Sequence, residues 1–66
     1  MQIDTKALRR IMAAKGFNEA SLSREAGISQ IVLNNWLTKG SRPRTDTLGK
    51  VAKALDVDIY DIARED

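Results

Sequence analysis

Gln30, Asn34, Asn35 and Thr38 stand close together around Ile31, and no acid interrupts the run from Gln30 to Lys39. Each Gln or Asn amide carries a donor and an acceptor in one plane, which suits recognition of a hydrogen-bonding edge rather than bond breaking. Taken alone, such residues read as a solvated helix face. Cations lie nearby: Lys39 ends the run, Arg42 and Arg44 flank Pro43, and Arg10 stands earlier in the chain. Bond-making chemistry has little material, because the sequence contains neither His nor Cys. That removes the usual general base, the Ser-His triad, thiolate nucleophiles and cysteine-ligated zinc. An enzyme is not expected, nor is a metal or other cofactor.

The chain has 66 residues, 42% hydrophobic and 30% charged. That is one small domain, burying only about 60% of the surface of its unfolded chain, with no disulfide to help it. Before Asp46 eight Lys and Arg residues face three acids, whereas from Asp46 onward three bases face six acids. One end is basic and the other acidic. No apolar run approaches the roughly 20 residues of a membrane span, and Met1-Gln2-Ile3-Asp4 does not resemble a signal peptide. The expectation is a cytoplasmic, nucleoid-associated protein with no membrane partner.

Helical periodicity dominates the elements that must position these groups. Leu8, Ile11 and Met12 follow i, i+3, i+4 spacing, with Ala7 and Ala14 able to extend the stripe, predicting a first helix from Thr5 to Lys15 ended by Gly16. Asn18 caps a short second helix, Glu19 to Ala26, in which Leu22 and Ala26 face inward, and Gly27 supplies a sharp turn. Ser29 caps a third helix, Gln30 to Lys39, with Val32, Leu33 and Trp36 assigned to the core and Gly40 as its stop. Pro43 makes residues 41–44 a loop. Leu48, Val51, Ala52 and Leu55 define a fourth helix beginning at Thr45 or Asp46. Asp58 caps a last short helix, Ile59 to about Ala63, with Ile59 and Ile62 pointing inward. No segment reads as a strand, so the predicted fold is all-α: a compact bundle of five short helices.

The stretch from Asn18 to Trp36 places a short helix, a glycine turn and a capped second helix in order, with Leu22, Ala26, Ile28, Leu33 and Trp36 where crossing helices must pack. It resembles the helix-turn-helix of lambda-repressor-like (Cro/repressor, XRE-type) DNA-binding domains. Lys15-Gly16-Phe17, Gly40 to Pro43, and Asp46-Thr47-Leu48 through Asp56-Val57 are similar to that family's flanking elements, so the likeness covers nearly the whole chain. Three positions depart from the pattern: Ser23 where Ala is usual, Asp56 where a helix-ending Gly is common, and Gly40 one place late. Leu22 to Gly27 together with Pro43 to Leu48 is most similar to the N-terminal domains of phage-type repressors that carry a self-cleaving peptidase domain downstream. The resemblance therefore implies residues 1–66 as one domain, of the kind that forms the N-terminal part of such longer repressors.

The same resemblance implies a function. The third helix would enter the major groove of double-stranded DNA, which is about 12 Å wide and accepts one helix. Gln30, Ile31, Asn34, Asn35 and Thr38 would meet the bases, amides pairing with adenine N6 and N7 and Ile31 lying against a thymine methyl. Arg10, Ser29, Lys39, Arg42 and Arg44 would contact the backbone, and one of the two loop arginines could enter the minor groove. Glu19 is discordant there: it would either turn away or accept from a cytosine amino group. Trp36 is assigned to the core. The family pairs by two-fold symmetry, and Tyr60 with Ile59 forms the expected homodimer surface, although Tyr60 could equally close the core. A sequence-specific repressor on a two-fold operator is the function implied, with no small-molecule ligand in this domain. The rival is an antitoxin-type or other protein-interaction module on the same fold.

Overall fold

The computed structural model describes residues 1–65. Over that range the order is β1 (Gln2–Ile3), α1 (Thr5–Lys15), α2 (Glu19–Ala26), α3 (Gln30–Lys39), α4 (Thr45–Leu55), a 3-10 turn (Ile59–Asp61) and β2 (Ala63–Arg64). Among the described residues no helix is long and apolar enough to cross a membrane.

The first three helices have the bounds that capping chemistry dictates. The side chains of Asp4, Asn18 and Ser29 each accept a backbone N–H of the first turn that follows, while Gly16, Gly27 and Gly40 adopt positive φ at the three C-termini. Helix α4 begins at Thr45, and its end departs from that rule because Asp56, not glycine, takes the left-handed conformation at φ 57°.

Leu8, Leu22, Leu33, Leu48, Val51, Leu55 and Ile62 are fully buried where the helices converge. Each such side chain contributes about 1.5–3 kcal/mol relative to exposure, so this shared apolar centre, rather than helix propensity, holds a chain of this size together.

Two expectations about architecture are corrected. Among the described residues there are four α-helices, not five, because the last segment closes after a single 3-10 turn. Asp58 and Asp61 brace that turn reciprocally, with Tyr60 N–H donating to Asp58 Oδ1 at 2.8 Å and Asp58 N–H to Asp61 Oδ2 at 2.9 Å. Beyond it Ile62 has left helical geometry, at φ −122°, and Ala63–Arg64 runs extended. The second correction is the reason: β2 pairs antiparallel with β1, Gln2 opposite Arg64 and Ile3 opposite Ala63. The extended end also places Ala63 and the fully buried Ile62 beside buried Ile3. A longer helix would forfeit both the ladder and that burial.

The core differs from expectation in detail. Ala14 is exposed and Ile11 and Ile59 are only half-buried. Val32, expected in the interior, is 37% exposed, whereas Leu37, outside the expected core, is 4% exposed. Leu33, Trp36 and Leu37 form the true i, i+3, i+4 stripe of α3. Val32 lies on its margin.

Candidate nucleic-acid interface

Helices α2 and α3 are set by local chemistry at their junction. Asn18 Oδ1 accepts from Ser21 N–H at 2.8 Å, and Asn18 N–H donates to Ser21 Oγ at 2.9 Å, so α2 starts on a closed capping box. It ends at Gly27, φ 72°, with Ile28 N–H returning to the Ser23 carbonyl at 3.0 Å. Two residues later Ser29 Oγ accepts from Ile31 N–H at 3.1 Å, starting α3. Ser23 is buried between the packed elements and satisfies its hydroxyl on the Ala20 carbonyl at 3.0 Å. A small residue is needed there.

With Leu33, Trp36 and Leu37 turned inward, the steps of about 100° per residue put Ile31 and Thr38 at the crest of the opposite face. Asn35 lies next to that crest, with Gln30 and Asn34 on one shoulder and Lys39 on the other. Gln30, Asn34, Thr38 and Lys39 are exposed, Asn35 is half-buried, and Ile31 is 75% exposed. Thr38 Oγ1 donates to the Asn34 carbonyl at 2.9 Å, which commits its proton and leaves its oxygen as an acceptor. Trp36 is buried, as expected.

Beyond α3 the chain turns at Gly40 into a loop tied to β1, where Ile3 N–H donates to the Ser41 carbonyl at 3.0 Å. This holds exposed Arg42 and Arg44 near one flank of α3, and both line a cleft with Ser29, Val32, Trp36 and Lys50. Arg44 Nε lies 3.4 Å from Asp46 Oδ1, but these side chains are 85% and 62% exposed, so water screens the pair and an approaching anion could displace it. Arg10 is exposed on α1.

Two features of the site were not legible in the sequence. Arg9 Nη2 donates to the Leu37 carbonyl at 2.9 Å, fastening α1 to the last turns of α3. Asn34 Nδ2 donates to Glu19 Oε1 at 3.0 Å, joining the first residue of α2 to the exposed face of α3. Glu19 thus neither turns away into solvent nor stands alone: it is half-buried and lines a shallow cleft with Gln30, Ile31 and Asn34. Sequence separations of 28 and 15 residues carry no periodic signal.

A short helix, a positive-φ glycine and a second helix whose outer face is left to solvent define a helix-turn-helix domain. The sequence profile of the Cro/C1-type HTH DNA-binding domain matches residues 7–64, and the chain belongs to that family. No curated protein and no solved structure matches it.

Proposed function

We propose that this chain is the sequence-reading domain of a bacterial or phage transcriptional repressor, which works by occupying a two-fold symmetric operator rather than by catalysis. The observation that carries the reading is the 75% exposure of Ile31 at the crest of an amide-bearing face. A branched apolar side chain held in water beside the amides of Gln30 and Asn34 matches a groove floor on which amino groups, ring nitrogens and thymine methyls alternate. In this reading Gln30, Ile31, Asn34, Asn35 and Thr38 read bases. Arg10, Ser29, Lys39, Arg42 and Arg44 hold the backbone, and the Ser29 hydroxyl donates to a phosphate while its oxygen caps α3.

The longest dimension of the fold is 28 Å, short of the roughly 34 Å between successive major grooves on one side of the duplex. One copy reads one groove, and two are needed for a full operator. The exposed Tyr60 ring and the half-buried edge of Ile59 lie in the acidic C-terminal segment and are the proposed pairing surface. Residues 1–66 act in this proposal as one DNA-binding domain.

Selection of bound duplexes from a random pool, followed by affinity measurement at several salt concentrations, tests the reading. A two-fold consensus is expected, with log K falling against log salt at a slope of about −4 per subunit for four to five phosphate contacts. Negligible affinity with a flat salt response would instead favour a protein-interaction module.

A further inference from the structure

We propose that Glu19 determines base specificity through Asn34, the two side chains forming a two-acceptor unit that selects the amino group of cytosine. The inference rests on the reading that the outer face of α3 meets the major groove, and it names what one part of that face recognises.

An acid in the first turn of a helix is ordinarily explained by the helix dipole alone. Glu19 does more than that, since its Oε1 accepts from Asn34 Nδ2 at 3.0 Å across the junction of two helices. The bond fixes the direction of the Asn34 amide: its nitrogen end faces α2, and Oδ1, at the opposite end of the planar group, faces away from Glu19. Glu19 Oε2 and Asn34 Oδ1 remain as acceptors beside the cleft that Glu19 and Asn34 line with Gln30 and Ile31.

Two acceptors, one of them charged, require a donor opposite. In the major groove the donors are cytosine N4 and adenine N6. Adenine carries the N7 lone pair next to N6, which repels a carboxylate, whereas cytosine has no acceptor beside its amino group on that edge. Guanine offers only O6 and N7, and thymine only O4 and a methyl. Cytosine, whose one N4–H outside the base pair can be shared by the two acceptors and has no lone pair of its own base beside it, is therefore the base that fits the unit best. Neighbouring Gln30, whose amide is not committed to a carboxylate, retains the ordinary preference for adenine.

The test compares duplexes selected by the wild-type chain, Glu19→Gln and Asn34→Ala, each first shown to melt as a folded domain. The wild-type consensus should hold cytosine at one position per half-site. Glu19→Gln can still accept from Asn34 but replaces one acceptor by an amide able to donate, so guanine should be admitted at that position. The cytosine preference there should fall about tenfold while other positions keep theirs. Asn34→Ala should weaken the same position. An unchanged consensus for Glu19→Gln, with uniformly tighter binding, would show that the carboxylate only repels phosphates and would overturn the inference while leaving DNA reading intact. A wild-type chain that bound no duplex would overturn both.

Discussion

Arg9 on α1 donates from Nη2 to the Leu37 carbonyl of α3, 28 residues away. The last carbonyls of a helix have no partner within it, and here one of them is met by a guanidinium from another element. The contact aligns the end of α3, and with it Thr38 and Lys39, against the body of the domain. Arg9→Ala should lower stability by about 1 kcal/mol, since the bond is charge-assisted but only partly buried. Chemical denaturation measures this, and faster amide exchange confined to the end of α3 is the accompanying sign.

Reading and anchoring should separate by mutation. Gln30→Ala removes an exposed amide from the shoulder of α3 and should relax base preference with a loss of about 1–3 kcal/mol on the preferred duplex, while leaving the melting temperature nearly unchanged. Arg44→Ala should weaken all duplexes alike and reduce the salt slope by about one. Equal, sequence-independent losses in both variants would contradict the division.

Asp56 occupies the left-handed C-terminal position of α4 at φ 57°, ψ 47°, where its N–H returns to the α4 carbonyls. A residue with a Cβ is disfavoured in that conformation, and glycine is not. Asp56→Gly should raise stability by about 0.5–1 kcal/mol, or several degrees in Tm for a domain of this size. A drop in Tm would show that the aspartate contributes a contact of its own.

Tyr60 is the only tyrosine in the chain, and its hydroxyl donates to Glu65 Oε1 at 3.1 Å. That hydrogen bond, then the charge of Glu65, raises the phenol above its ordinary value of 10.0. The folded chain favours the protonated phenol, so any stability from this contact is complete below pH 10 and is lost as pH climbs through the raised folded-state value. Nothing changes near neutrality. Alkaline titration of the phenolate absorbance should show a midpoint above 10 that returns toward 10 in Glu65→Gln.

Leu37 belongs to the core and Val32 to its margin, which truncation should distinguish. Leu37→Ala should cost about 2–5 kcal/mol, because the cavity it leaves cannot collapse, whereas Val32→Ala should cost about 1 kcal/mol or less. Comparable losses from the two would mean that the burial stripe of α3 is centred elsewhere.

Local chemistry made most of this molecule legible from its residues. Asn18, Ser29 and Asp58 cap because their short polar side chains reach their own backbone. Gly16, Gly27 and Gly40 stop helices because only glycine enters positive φ without cost. The i, i+3, i+4 spacings of α1 and α4 mark faces because a helix repeats every 3.6 residues. The outer face of α3 and its acid-free composition follow from the same rules. In α3 itself the pattern was ambiguous, since Val32, Leu33, Trp36 and Leu37 are all apolar and periodicity alone does not locate the centre of the stripe.

Only the tertiary structure decided what distant residues do to one another. The pairing of β1 with β2 involves two residues on each side, too few to show alternation, and it exists because Ile3, Ile62 and Ala63 share one buried site. Arg9 reaches Leu37, and Glu19 reaches Asn34, through the way α1 and α2 cross α3. Such contacts depend on the angle and depth at which packed helices meet, and these are set by the whole core at once rather than by any stretch of the chain.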